Sequence, residues 1–114
     1  MVGDEAARFE NLVACHLLKW VHFRQDSEGL DLELRYFRDD DGREVDFVVV
    51  EGRTPKLLVE CKLGDAAPDR GIRYLRAKYP KVNAWQISAT GRKDFVPAEG
   101  IRVAPAPALL AGLV

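Results

Sequence analysis

Three charged residues lie inside two apolar stretches of this sequence. In EVDFVVV, residues 44–50, Asp46 interrupts a hydrophobic run, and in LLVECKL, residues 57–63, Glu60 and Lys62 do the same. Burying a charge is costly unless the charge is paired or bound to something. Two carboxylates and an amine on neighbouring strands are the groups that hold a divalent cation and orient a water molecule during phosphoryl transfer. These three residues are therefore the first candidates for chemistry.

The segment that joins the two runs determines how these side chains meet. EGRTP, residues 51–55, contains a glycine and a proline and predicts a tight hairpin turn. If its arginine is the midpoint, Asp46 lies opposite Glu60 and Glu44 lies opposite Lys62, and alternation places all four on one face. A register shift of one residue would separate them. Because opposed carboxylates repel, at least one of the two pKa values is predicted to be raised when no cation is bound.

Hydrophobic periodicity predicts the elements that position this hairpin. Spacings of three and four predict helices, and alternation predicts strands. The predicted helices are Asp4–Val21 and Asp69–Tyr79, and the predicted strands are Leu30–Arg38, Glu44–Glu51, Lys56–Leu63 and Val82–Ser88. A short extra strand is predicted at Ile101–Pro105, a loop at Arg24–Gly29, and a helical turn in the tail, residues 108–114. The order is α-β-β-β-α-β, an α/β fold in which helices flank a mixed sheet.

Composition restricts the class of protein. A chain of 114 residues with 47% hydrophobic content predicts one domain over residues 1–114. The net charge of -1 argues against nucleic-acid binding by bulk electrostatics, although it does not exclude a nuclease, whose metal site requires carboxylates. No long apolar run and no signal peptide occur, so we expect a cytoplasmic protein with no membrane partner. Cys15 and Cys61 are expected to be reduced core residues.

The motifs together carry a resemblance. The run YFRDDDGREVDFVVV followed by LLVECKLGD, with FENLVACHLL upstream, resembles the PD-(D/E)xK nuclease superfamily. It is similar in particular to the nuclease-like domain at the C-terminus of prokaryotic AAA-type ATPases. The resemblance covers about residues 5–90 and implies a restriction-endonuclease-like core. Asp46 matches the first acidic position, and Glu60 and Lys62 match the (D/E)xK pair, whereas Val45 stands where the superfamily's proline would be.

This resemblance implies a metal-dependent reaction. Asp46, Glu60, the backbone carbonyl of Cys61 and Glu10 would hold Mg²⁺ or Mn²⁺, and Lys62 would orient the attacking water. Glu10 also lies beside the apolar stripe of the first predicted helix, from which a carboxylate can join the cluster. The expected activity is phosphodiester hydrolysis, with DNA as the substrate.

Other interpretations stay open. The domain is alternatively a non-catalytic accessory module that binds DNA or a protein, such as an AAA-type ATPase domain, and homodimers are common in the superfamily. No GxxxxGK[ST] loop occurs, so the chain is either a stand-alone relative or a piece of a longer ATPase-linked protein. The basic face of Arg70, Arg73 and Arg76 is either solvated or contacts phosphate. Gln86 is a further polar residue in a predicted strand whose face the sequence does not fix.

Overall fold

A five-stranded mixed sheet forms the centre of the protein in a computed structural model that describes residues 2–97 and 99–113. The strands lie in the order β1-β2-β3-β4-β5. Their bounds are β1 Leu32–Arg38, β2 Glu44–Glu51, β3 Thr54–Lys62, β4 Asn83–Ser88 and β5 Ile101–Pro105. The first three strands form an antiparallel meander, and β4 and β5 continue the sheet parallel to β3. The predicted α-β-β-β-α-β order and the extra fifth strand are confirmed.

Helices cover both faces of this sheet. They are α1 Val2–Glu28, α2 Arg70–Lys78 and α3 Ala106–Leu110, and a 3₁₀ turn follows at Ala111–Leu113. The helical turn predicted for the tail is thus present, and Val114 lies outside the described residues. Within the described ranges, no helix combines the length and the apolar character needed to cross a membrane.

The first helix continues past its predicted end, and the predicted loop at residues 24–29 is wrong. Local interactions extend the helix to Glu28: an Arg24–Glu28 ion pair of 2.9 Å spans one turn, and the Ser27 hydroxyl donates to the Phe23 carbonyl. The helix ends at Gly29, whose φ of +67° and backbone bond to Gln25 form a glycine cap. Polar residues in this segment therefore mark an exposed helical turn.

The two faces of the sheet carry separate hydrophobic clusters. On one face, α1 packs its stripe against β1, β2 and β3; the buried residues of this cluster include Phe9, Val13, Leu17, Val21, Leu32, Val49, Leu57, Val59 and Ile87. On the other face, α2 packs on β2, β3 and β4; the buried residues include Ile72, Leu75, Val45, Val48, Leu58 and Ala84. The strands of the hairpin are covered on both sides, so any charge placed in them is removed from bulk water unless it lies at a strand end.

Helix α2 lies unusually close to the start of β2, and Gly71 makes this possible. A Cβ at Gly71 would overlap the Glu44 carbonyl and lie 2.7 Å from the Glu44 nitrogen. Backbone cannot move aside as a flexible side chain can, so α2 itself would have to shift.

We therefore expect Gly71→Ala to lower the free energy of unfolding by roughly 2 to 3 kcal/mol, because overpacking outweighs the better helix propensity of alanine. Urea unfolding measures the change. Gly64→Ala is the matched control, since a Cβ there meets nothing within 4 Å. A Gly71→Ala protein as stable as the parent would show that α2 does not sit against Glu44.

Candidate active site

A bulge in β2 places Asp46. Strand β1 pairs Arg35 with Val48 and Phe37 with Val45, so two residues of β2, Asp46 and Phe47, lie opposite one residue of β1. The extra residue reverses the alternation of side chains along β2. Val45 and Val48 both pack on the α2 face, whereas residues three apart in a regular strand lie on opposite faces. Bulges of this kind redirect one side chain and interrupt the ladder. Here the redirected residue is the aspartate.

Asp46 and Glu60 then replace the backbone ladder between β2 and β3. Regular pairing reaches Phe47 opposite Val59 and stops there. Beyond this point the Asp46 N–H donates to Glu60 Oε1 at 3.0 Å, and the Cys61 N–H donates to Asp46 Oδ2 at 2.9 Å. Each carboxylate therefore satisfies a backbone donor on the opposite strand. These two bonds fix the orientation of both acids and bring them side by side.

The predicted register is confirmed in this part of the hairpin. The pairs from Phe47 with Val59 to Val49 with Leu57 have residue numbers that sum to 106, and a second bulge near the turn shifts the remaining pairs by one. The other predicted pair is wrong. Glu44 lines the cleft of Glu60, but its ion pair is with Arg38, the residue opposite it on β1, at 3.0 Å.

Glu60 has the most perturbed environment of the cluster. Its side chain is only 7% exposed. Burial is the largest of the effects that raise the pKa of Glu60 to about 9. The others are hydrogen bonding to Asp46, repulsion by the Asp46 carboxylate, and hydrogen bonding to Asp69. The strain expected of opposed carboxylates is therefore present, and it is concentrated on Glu60. The cleft in front of it has a volume of about 180 Å³ and is also lined by Asp69.

Lys62 is the cation of the cluster and is held by Asp69. Its ammonium donates to Asp69 Oδ2 and lies 3.9 Å from Glu60 Oε2. Burial lowers the pKa of Lys62, but the hydrogen bond to Asp69 and the charges of Asp69, Glu60 and Asp46 outweigh this effect and raise it. The lysine therefore remains an ammonium at neutral pH, and one of its three donors is already used.

Asp69 was not among the residues that the sequence singled out. It immediately precedes α2, where an aspartate usually caps the helix. Its carboxylate makes no capping bond, however, and is turned toward Lys62. From sequence alone, an aspartate four residues after the GD of LLVECKLGDAAPD predicts a helix cap, because only the tertiary structure reveals the lysine beside it.

Gln86 positions the segment that carries Asp69. Its side chain is 2% exposed and pairs in register with Glu60 across the parallel strands β3 and β4. Gln86 Oε1 accepts from the Asp69 N–H at 3.0 Å, and its Nε2 donates to the carbonyls of Ala66 and Ala67. A fully satisfied buried amide is a rigid support. Gln86 thus belongs to the site, through Asp69 and Lys62, although it donates to no group in the cleft.

The two remaining candidates lie on the other side of the hairpin. Cys61 packs among the residues of the α1 face, and burial followed by the nearby charge of Asp46 raises the pKa of its thiol, so the thiol stays neutral. Glu10 is an exposed residue of α1. Burial and the charge of Asp46 raise the pKa of Glu10, and Lys62 opposes this effect. Glu10 therefore interacts electrostatically with the cluster from its rim and not from within it.

The donor set fits a hard divalent cation. Among the described residues, no group of three or more His, Cys, Asp or Glu side chains is arranged to hold a metal ion. Mg²⁺ does not require such a cage, because it is usually bound by one or two carboxylates, waters and substrate phosphates. Asp46 and Glu60 supply two oriented carboxylates, and the repulsion that raises the Glu60 pKa is relieved by a positive ion.

The arginines of α2 lie against neighbouring loops of the protein, and two of them have polar partners there. Arg70 donates to the carbonyl of Asp41, and Arg73 forms an ion pair with Glu99 at 3.3 Å. Arg76 is half-buried beside Gly100, where an added Cβ would lie 2.7 Å from its guanidinium nitrogen. These contacts tie α2 to the two neighbouring loops, so the structure gives the three residues a role in packing.

One protein family matches the chain over nearly the whole of this fold. Residues 6–109 match the family described as Domain of unknown function (DUF4143). The chain belongs to the DUF4143 family. The match runs from α1 to α3 and includes Glu10, Asp46, Glu60 and Lys62 of this DUF4143 domain. No curated protein and no solved structure matched the chain.

The raised pKa of Glu60 predicts how the metal-free protein responds to pH. The folded protein holds the proton of the Glu60 carboxyl more tightly than the unfolded chain does, in which the pKa has its ordinary value of 4.5. The stability that protonated Glu60 contributes is therefore complete below about pH 4.5. It is lost as the pH rises toward about 9, by up to about 1.4 kcal/mol per pH unit. Glu60→Gln keeps an oxygen for the Asp46 N–H and cannot ionise.

We expect Glu60→Gln to flatten this decline, so that its stability relative to the parent increases steadily from pH 5.5 to pH 8.5. Urea unfolding in the presence of EDTA measures the difference. Glu33→Gln, which removes an exposed carboxylate of β1, should follow the parent. Parallel pH profiles for Glu60→Gln and the parent would contradict the strained carboxylate pair.

Proposed function

We propose that this domain is a metal-dependent nuclease that hydrolyses phosphodiester bonds, with DNA as its substrate. The observation that carries the proposal is the reciprocal bonding of Asp46 and Glu60, which fixes two carboxylates at a strand end beside the Lys62 ammonium. The resemblance of these three residues to the PD-(D/E)xK motif supports the same activity. A purely structural role explains the two hydrogen bonds to backbone N–H groups. It does not explain why a carboxyl group with a strongly raised pKa is kept in a buried position.

The metal would be held mainly by Asp46 and Glu60. The resemblance assigns further oxygen donors to the backbone carbonyl of Cys61 and to Glu10, of which Glu10 interacts with the cluster only from its rim. When bound, Mg²⁺ or Mn²⁺ supplies Lewis-acid polarisation of the phosphodiester and neutralises its charge. Each of the two carboxylates uses one oxygen for a backbone donor, which holds the carboxylates in position before any substrate arrives.

Lys62 acts on the water and on the developing charge. Its pKa is raised, so it is a hydrogen-bond donor and an electrostatic stabiliser at neutral pH, and it does not act as a base. Asp69 holds the ammonium at one end of the cleft, and Gln86 holds Asp69. Lys62 bonds to the carboxylate of Asp69, and Gln86 anchors the backbone N–H of Asp69. The lysine is therefore restricted to a small region beside Glu60.

Cleavage of supercoiled plasmid tests the proposal. The parent should give nicked and linear products with Mn²⁺ or Mg²⁺ and none with EDTA. Asp46→Asn, Glu60→Gln and Lys62→Ala should each reduce the rate by roughly 100-fold or more, because each removes a group that acts on the reacting phosphate. Glu33→Gln, purified in parallel, should cut at the parent rate and so excludes a contaminating nuclease.

If the parent and the three variants all leave the plasmid intact, or cut it equally, the nuclease proposal fails. The accessory-module interpretation would then replace it.

A further inference from the structure

A second cleft, with largely apolar walls, lies on the α2 face at the opposite end of α2 from Lys62. It has a volume of about 350 Å³ and is lined by the start of β3 and the end of α2; its residues are Thr54, Pro55, Lys56, Lys78, Tyr79, Pro80, Lys81 and Val82. We refer to it as the lysine cleft. Three lysines line it, and no acidic residue does, so the cleft has a local charge of about +3 at neutral pH in a protein whose net charge is -1.

The lysines of the cleft have no carboxylate partner among the described residues. Lys56, Lys78 and Lys81 are exposed and form no ion pair with the other described residues. The Lys78 Nζ lies 5.9 Å from the ring centroid of Tyr74 and 5.9 Å from that of Tyr79. These cation–π contacts hold the lysine beside the cleft. Like charges gathered without counter-charges cost free energy unless an anion binds them.

Helix α2 connects this cleft to the candidate active site. The Asp69–Lys62 bond joins the start of α2 to the end of β3, and the lysine cleft joins the end of α2 to the start of β3. Helix and strand are therefore antiparallel. From Lys56 to Lys62 strand β3 extends about 20 Å, which corresponds to several nucleotides of a nucleic-acid strand. A single strand running along α2 can reach both places.

We propose that the lysine cleft binds the phosphodiester backbone of the nucleic-acid substrate, several nucleotides from the bond that is cut. This inference rests on the proposed nuclease function. Lysine is a compact charge that binds phosphate without requiring one orientation, so the contact is independent of sequence. An acidic peptide would also meet the positive charge, but the position of the cleft on the same face and in line with the carboxylate cluster favours the substrate of that cluster.

Equilibrium binding tests the proposal separately from cleavage. Fluorescence anisotropy with a labelled 20-base-pair duplex, and with the same single strand, is measured in EDTA over a series of salt concentrations. Lys78→Gln combined with Lys81→Gln should weaken binding of every sequence alike, by about tenfold or more near 0.1 M salt. It should also reduce the slope of log affinity against log salt by about two.

The matched control is Lys19→Gln combined with Lys93→Gln, which removes the same charge from exposed positions outside the cleft and should retain the parent slope. Melting temperatures confirm that both double variants are folded. A protein that needs the cleft for binding but cuts nothing would overturn only the nuclease proposal. Equal binding by the cleft variant and the parent would overturn the inference. So would binding of a polyglutamate peptide, in place of DNA, through the same lysines.

Discussion

The exchange of hydrogen bonds between Asp46 and Glu60 is the interaction on which the rest of the site depends. At the bulge, two backbone N–H groups of the hairpin lose their ladder partners, and the two carboxylates take them over. An unsatisfied buried N–H costs about as much as a lost hydrogen bond, so the acids are needed to close the hairpin. The same bonds hold two carboxyl groups together in a partly buried position, where ionisation of both is unfavourable. The same pair of hydrogen bonds therefore stabilises the hairpin and brings the two acids close enough to repel each other.

The surrounding elements limit where this strain can be relieved. Gly71 allows α2 to approach the start of β2, which narrows the cleft in front of Glu60, and Gln86 fixes the segment that supplies Asp69. Lys62 offsets part of the negative charge, yet it is tied to Asp69 and lies 3.9 Å from Glu60. One ammonium among three carboxylates leaves the cluster negative, and this is the electrostatic condition under which a divalent cation binds most favourably.

The sequence predicted the parts of the molecule that depend on local patterns. Strand β2 has the predicted bounds, and the pairs from Phe47 to Val49 follow the predicted register, although the pairs next to the turn are shifted by one residue and a second bulge restores the predicted register. The bulge was not predictable, because neither Asp46 nor Phe47 is a glycine that would mark one and only the pairing with β1 reveals the extra residue. Asp69 was missed for a related reason: its position predicts a helix cap, whereas its partner is a lysine seven residues earlier that only the tertiary fold brings near.

The free energy of unfolding, measured with and without Mn²⁺, tests the central claim most directly, since it requires no substrate. An ion that binds only the folded state should add about 2.7 kcal/mol at ~100 times its dissociation constant, and raise the melting temperature by roughly 10 °C. Asp46→Asn removes one of the opposed charges at nearly constant shape, so it should be at least as stable as the parent without metal and should lose the response. A parent protein whose melting temperature ignores millimolar Mn²⁺ and Mg²⁺, or an Asp46→Asn variant that responds fully, would contradict a cation site at the bulge.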